Sequence, residues 1–421
     1  MTRVDYSLFA AVSILLYQIV FWTARLRDLV QCMVRVPVIG TENRPDAGED
    51  LPMISVVVPA HNEQAGIAEC LQSVLEQDYP RFEVILVNDR SEDLTATIAK
   101  KLGRGRSNFR MIDVRELPSG WTGKCHALDV GVRYASGDWL AFLDADSALH
   151  PSALRQCYRT AVEHAVNMIT LSPKFVLKTF WEKALQPVFV AMSCILFPLS
   201  KINDPASPVA SANGMFYLIS RTAYEKIGGH HDVKGLAVED IGIGKRVKAS
   251  GLGLLFANGR HVLRTRMYTG FGEVLNGWIR ILSASMNYEL GKVLKYLTMH
   301  TLMSPLASIF AFAVFIPAAQ SFSPALWISL LLAFGLAATV VQSWFCAQLG
   351  ISPRYSGLIF LGNLFLIWVF LVIIKKILMK DALQWRGTTY QSTLYEPTAL
   401  NPEEAPRGYT GSAAQFLEKT N

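Results

Sequence analysis

Two rhythms of apolar residues divide the chain. Between about residues 50 and 290, short β-branched runs alternate with stretches whose apolar positions fall three or four apart. "MISVVVPA" (53–60), "FEVILVND" (82–89), "FRMIDV" (109–114) and "WLAFLDAD" (139–146) are compact apolar runs that end in polar residues, the pattern of buried strands. "QAGIAECLQSVLEQ" (64–77) carries Ile67, Leu71, Val74 and Leu75 at helical spacing, and "DLTATIAKKL" (93–102) predicts a second helix. Such alternation predicts an α/β domain built on a mostly parallel sheet covered on both faces.

Elsewhere the apolar residues run on without a break. Crossing a bilayer takes about 20 of them, and residues 6–24, 299–317, 324–346 and 357–377 are long enough. Arg25, Arg27 and Arg35 follow the first stretch, which predicts an uncleaved anchor with its N-terminus outside and the chain from residue 25 in the cytosol. A fifth stretch, 180–199, contains Glu182, Lys183, Pro187 and Pro198. It is expected to lie in the membrane interface, a buried helix of the soluble domain being the alternative. Four crossings leave the C-terminal tail outside, whereas Lys375, Lys376 and Lys380 at the end of the last stretch favour the cytosol. A re-entrant or interfacial stretch among the four removes that conflict. The expected organisation is an anchor at 1–28, a cytosolic domain at 50–292, transmembrane helices within 297–380 and a polar tail at 381–421.

Composition agrees with a membrane chain: 51% of the 421 residues are hydrophobic and 18% charged. The net charge of +6 comes without a dense Lys/Arg block, so nothing points to a nucleic-acid partner, and a weak pull toward anionic lipid headgroups is the natural reading. The six cysteines form no CxxC pair and read as small apolar residues in a reducing compartment.

Ligands of parallel sheets bind beyond the carboxyl ends of the strands. Polar clusters stand there: His61-Asn62-Glu63, Asn88-Asp89-Arg90, and Asp144 with Asp146. A strand's period of two would put Asp144 and Asp146 on one face. Two carboxylates that close repel unless a cation sits between them, and a hard ion such as Mg²⁺ or Mn²⁺ fits oxygen ligands. A solvated turn that uses aspartate for its turn chemistry is the alternative. Polar clusters at three separate strand ends favour the metal.

Six motifs extend this picture: "VVVPAHNE" (56–63), "VILVNDRSEDLT" (84–95), "GWTGKCHALDVGV" (120–132), "GDWLAFLDADS" (137–147), "ANGMFYLISRTAYEKIGGH" (212–230) and "VEDIGIGKRVKASG" (238–251). In that order they resemble the family 2 glycosyltransferases, which have the GT-A nucleotide-sugar fold. "GWTGK" is similar to the hopanoid-associated and carotenoid-modifying members. The resemblance implies that Pro59, Glu63 and Asp89 hold the nucleotide, with Asp89 near the uracil or ribose. It places Lys124 near the pyrophosphate, and Asp144 and Asp146 on the diphosphate through Mg²⁺ or Mn²⁺. Asp240 is the implied general base, with Glu239 next in line; a helix start complementing its dipole with acids accounts for the same pair. The family's processive and ceramide-acting members carry a Gln/Arg-x-x-Arg-Trp segment, where this chain has "NGWIRILSAS" (276–285). Trp278 and Arg280 either line the acceptor side or anchor a helix at the interface, and His230 is a further acceptor-side residue or part of a loop.

The implied activity is an inverting hexosyltransferase that moves glucose from UDP-glucose to a membrane lipid hydroxyl. Its catalytic domain would face the cytosol from a multi-pass membrane protein. A polyprenyl-phosphate glycosyltransferase or polysaccharide synthase is the alternative within the class. A catalytically silent membrane scaffold that keeps the nucleotide fold is the alternative outside it.

Overall fold

The computed structural model describes residues 36–41, 51–303, 352–381, 383–385 and 388–390, with isolated positions within 13–23 and 329–347. The expected strands are present as β1 (Ile54–Ala60), β2 (Phe82–Asp89), β3 (Phe109–Val114) and β4 (Trp139–Leu143). They are followed by β5 (Ser147–Leu149), β6 (Met168–Ser172), β7 (Lys174–Phe175), β8 (Phe216–Ser220), β9 (Leu254–Asn258) and β10 (Leu263–Thr265). The main sheet has the order β3-β2-β1-β4-β8-β6-β9. β1 lies between β2 and β4, parallel to both, with Ile54 paired to Phe82 and to Trp139. The sheet is mostly parallel; β8 runs against both of its neighbours.

Alternation along β1 explains why helices cover both faces. Val56 and Val58 point to a core shared with α1 (Ile67–Leu75) and α4 (Ala153–Glu163), while Val57 points with Ile85 and Val87 to α3 (Gly123–Arg133). Burying each of these side chains contributes about 1.5–3 kcal/mol. The second expected helix is α2 (Thr95–Gly103). Thr122 caps α3, its Oγ1 accepting from Cys125 N at 3.4 Å. A remaining layer comprises α5 (Phe180–Leu196), α6 (Leu199–Ile202), α7 (Arg221–Lys226), α8 (Glu239–Ala249), α9 (Phe271–Ser285), α10 (Leu290–Met303) and α11 (Ile359–Met379). Within it α5, α9, α10 and α11 share one apolar cluster.

Two described helices, Phe180–Ile202 and Phe360–Met379, are long and apolar enough to cross a membrane. Of the four expected crossings, 6–24, 324–346 and most of 299–317 lie outside the described residues, as does most of the tail. The strand expected over 139–146 stops at Leu143, because Asp144 turns the chain: its carbonyl accepts from Ser147 N at 3.0 Å. Strand alternation therefore does not set the facing of Asp144 and Asp146; the turn does.

His230 is no acceptor-side residue. It is fully buried, with Nε2 2.9 Å from Tyr217 Oη and Nδ1 2.7 Å from Tyr224 Oη, and Phe142 packs on its ring. Burial, with nearby Lys124, drives its pKa down to about 3 against the weaker opposite pull of Glu239. The folded protein thus keeps His230 neutral where an unfolded chain takes up a proton, so stability falls as pH drops below about 6.5. Between pH 7 and pH 5 the wild type should lose about 2 kcal/mol more unfolding free energy than His230→Gln, measured by denaturant titration; parallel losses in the two proteins would contradict the neutral, buried histidine.

Candidate active site

The carboxyl ends of β1, β2 and β4 open on one edge of the sheet, and a cleft of about 150 Å³ lies there. Pro59, Ala60, His61 and Glu63 line it from the end of β1 and the loop beyond, Asp89 from β2, and Asp144, Ala145 and Asp146 from the turn after β4. Thr122, Gly123 and Lys124 bring the start of α3, and Ala237 and Glu239 the start of α8. Met267 and Tyr268, before α9, and Arg280, on α9, form the remaining wall. Every nucleotide- or metal-side residue read from the sequence thus reaches one cleft.

Charge dominates this cleft. Lys124 Nζ sits 2.7 Å from Asp144 Oδ1 and 2.7 Å from Glu239 Oε1, with 33% of its side chain exposed. Burial would lower the Lys124 pKa, but Asp144, Glu239 and Asp240 together hold it well above the usual lysine range. Glu239 goes down: burial would raise it, but the charge and hydrogen bond of Lys124, a backbone N–H and the charge of Arg280 together outweigh burial. Asp144 goes up to about 6, pushed by burial and by the charges of Asp146 and Glu239 against the pull of Lys124. Burial and Glu239 push Asp240 up to about 6 as well. Lys124 and Arg280 do not offset Glu63, Asp144, Asp146 and Glu239 with Asp240 behind them, so the cleft favours a further cation.

The donor set fits a hard divalent ion. Asp144 and Asp146 supply carboxylate oxygens to one cleft, and Asp146 Oδ1 is steadied by Ser147 Oγ at 3.2 Å and Thr265 Oγ1 at 3.3 Å. Among the described residues no group of three or more His, Cys, Asp or Glu comes together as a cage. Two protein carboxylates completed by phosphate oxygens and water is the pattern that suits Mg²⁺.

Asp89 is 4% exposed and takes both Arg90 Nε at 2.8 Å and Arg90 Nη2 at 3.1 Å. It can stand at the N-terminus of α3 because residue 123 is glycine: a Cβ there would lie 2.6 Å from Asp89 Oδ2. Asp240 does not line the cleft itself. Its Oδ2 accepts from Gly214 N at 2.6 Å and its Oδ1 from Ile241 N at 2.8 Å. Arg280 points into the cleft and donates from Nη1 to Ala237 O at 2.5 Å. Trp278 does not face the cleft: it is 4% exposed, stacks on Phe189 at 4.3 Å and donates to Gln186 Oε1 at 3.3 Å. That is a packing role within the helical layer, which corrects the acceptor-side reading of the two that the sequence offered.

Sequence reasoning missed Gly214. A Cβ on it would meet Asp240 Oδ2 and Lys124 Nζ, each at 2.9 Å, so glycine leaves room for the carboxylate and the ammonium to come together there. The signal was the glycine inside "ANGMFY", visible as a motif without its partner.

Residues 55–228 match the family model described as glycosyl transferase family 2. With the sheet above, this gives a GT-A-like α/β fold. Curated relatives include 4,4'-diaponeurosporenoate glycosyltransferase of several Staphylococcus aureus strains, 28% identical over 241 residues, or 55% of this chain. The match spans 60% of those relatives' length. Similar solved structures include the mannosyltransferase PcManGT from Pyrobaculum calidifontis in complex with GDP-Man and Mn²⁺ (18% identity, 86% of this chain, 99% of that one, TM-score 0.49). Another is S. aureus TarS 1–349 in complex with UDP-GlcNAc (17% identity, 80% of this chain, 95% of that one, TM-score 0.39).

Gly214→Ala should displace both Asp240 and Lys124 while leaving the sheet intact. Sugar transfer should fall by about 100-fold with an unchanged thermal midpoint, since a misplacement of about 1 Å suffices for that loss. Wild-type turnover in the variant would show that the crowded contact has no catalytic weight.

Proposed function

With residues 55–228 forming a family 2 glycosyltransferase domain, we propose that the chain moves a hexose, glucose from UDP-glucose, to the hydroxyl of a membrane lipid with inversion at the anomeric carbon. The convergence of Lys124, Asp144, Asp146 and Glu239 in the strand-edge cleft, with Asp240 behind them, carries this reading. The relative's name, a 4,4'-diaponeurosporenoate glycosyltransferase, supports an apolar acceptor, and so does the apolar helical layer beside the cleft.

In this reading Pro59, Glu63 and Asp89 hold the nucleotide. Asp144 and Asp146 would hold Mg²⁺ or Mn²⁺, which when bound supplies positive charge to the departing diphosphate. Lys124 adds a second positive charge at the start of α3, where helix N–H groups already favour an anion. Glu239 keeps Lys124 in place. Asp240, just behind the wall that Glu239 lines, is the group proposed to take the proton from the acceptor hydroxyl as it attacks. Its raised pKa makes it the better base of the pair, because Glu239 is neutralised by Lys124. The catalytic unit, 50–292, would face the cytosol between the anchor at 1–28 and the helices within 297–380.

Full-length protein in lipid vesicles, given radiolabelled UDP-glucose, Mn²⁺ and a membrane lipid extract, should put label into the organic phase. No transfer from any common nucleotide sugar would overturn the reading. A ladder of products would favour a polysaccharide synthase, and acid-labile label a polyprenyl phosphate acceptor. Asp240→Asn should lower transfer by more than about 100-fold and still bind UDP; equal transfer by the variant would move the base to Glu239. Since the base works only when ionised, wild-type kcat/KM should decline below about pH 6. A profile flat to pH 5 would remove Asp240 from that role.

A further inference from the structure

We propose that α11 does not cross the bilayer. With α5 it forms a cation-rimmed apolar platform that lies in the boundary between lipid headgroups and acyl chains, on the catalytic domain's own side. The inference rests on the reading of the chain as membrane-bound.

The argument starts with α5, which leaves and re-enters one and the same domain. At its N-terminal end β7 pairs with β10, Thr179 Oγ1 donates to Thr269 O at 3.1 Å, and Glu182 Oε1 accepts from Arg266 Nε at 3.0 Å. Just past its C-terminal end Asn203 is tied to β9: its Nδ2 donates to Phe256 O at 2.9 Å and its Oδ1 accepts from Phe256 N at 2.7 Å. A crossing helix delivers its two flanks to opposite sides of the membrane, about 30 Å apart. α5 therefore stays on one side, however apolar it is.

α11 and the turn before it pack on α5 between Lys183 and Phe189. The Tyr355 ring, just before α11, lies 4.9 Å from Lys183 Nζ; a Cβ on Gly362 would lie 2.5 Å from Ala184 O; Phe365 meets Phe189 at 6.0 Å. Both numberings rise together, so the helices run side by side in the same direction. Leu366, Val369, Phe370 and Ile373 are then fully buried in the cluster that also holds α9 and α10, and Leu358 and Ile377 pack against it at the two ends. A helix standing upright in the bilayer would touch this layer at one end only.

The other face of α11 is apolar and open: Leu364 is 42% exposed, Trp368 42% and Leu371 52%. Trp181 of α5 joins the patch through Phe271, which lies 4.7 Å from Trp181 and 6.2 Å from Trp368. A contiguous patch of this kind marks contact with protein or lipid. Its rim chooses lipid. Lys183 and Arg354 flank Tyr355 at one end, and Lys375, Lys376 and Lys380 stand at the other, the arrangement that anionic headgroups complement. Laid flat, α11 also keeps those lysines on the cytosolic side, which removes the charge conflict that a crossing creates.

Trp368 separates the two arrangements, because it is the tenth of the 21 residues of α11. Upright, it sits at the bilayer centre; flat, about 5–10 Å below the headgroups. The full chain is reconstituted in vesicles of phosphatidylcholine and phosphatidylglycerol whose acyl chains are brominated near the headgroup or near the chain end. The fluorescence lost on Trp368→Phe isolates this residue. Quenching should be about twofold or more stronger with the shallow bromines; stronger quenching by the deep ones would overturn the proposal. As a second arm, Thr420→Cys in the tail and Ser107→Cys on the catalytic domain should both react with an impermeant maleimide from the same side of sealed vesicles. Labelling from opposite sides would overturn it. Protein that stays out of the membrane fraction and is quenched by neither lipid would instead remove the membrane reading on which the inference stands.

Discussion

The constraint on which the rest depends is a shortage of positive charge at the carboxyl edge of the sheet. Asp144 comes from a turn, Glu239 and Asp240 from a helix start nearly 100 residues later, and the ammonium of Lys124 answers them. Taking such groups partly out of water costs several kcal/mol per ion, and pairing seldom does more than offset it. A fold selected for stability alone has no need of this cluster. Its place at the end of a parallel sheet, where ligands bind, makes the cluster a candidate site for a charged ligand. The glycines at 123 and 214 belong to the same account, since the first leaves room for Asp89 and the second for Asp240 and Lys124 where a Cβ would stand.

The apolar layer is joined to this cluster by a short path. Arg266 N donates to Asp146 O at 3.3 Å, while the side chain of the same arginine meets Glu182, a fully buried carboxylate in the first turn of α5. Glu182 also accepts from the backbone N–H groups of Lys178 and Thr179, each at 2.5 Å, closing the capping box that starts the helix. One residue therefore carries both the turn that steadies Asp146 and the helix proposed to rest on lipid. The spacing between that helix and the cleft is fixed by side chains rather than by a linker.

How much of this was legible in the sequence follows from the range of each interaction. β1 and β2 could be read from local apolar runs, because a strand buried on both faces announces itself within eight residues. The polar clusters at the strand ends were equally local, and topology brought them together. What failed was what depends on distant partners. His230 read as an acceptor-side residue or part of a loop, and Tyr217 and Tyr224 close on both its nitrogens. Trp278 looked like an acceptor aromatic until Phe189, from another helix, stacked on it. The reversed direction of β8 is likewise a property of pairing, invisible in its five residues.

The acceptor's route follows from which wall of the cleft is apolar. Strand ends and helix starts supply the carboxylates and Lys124 on three sides, and the fourth is the segment from Met267 to Arg280 that leads into the helical layer. Tyr268 belongs to both: it lines the cleft and packs against the cluster of α5, α9 and α11. Its backbone is left-handed at φ 50°, a conformation that costs a non-glycine residue of order 1 kcal/mol, and its ring fits where Gly277 has no Cβ. Met267 O and Thr269 O on either side are held by Gln186 and Thr179 of the α5 end, so the strained residue is fixed from outside. Strain kept in place by a neighbouring helix, at the seam between a charged cleft and an apolar layer, is what a site needs if its lipid acceptor offers one polar group and never leaves the membrane.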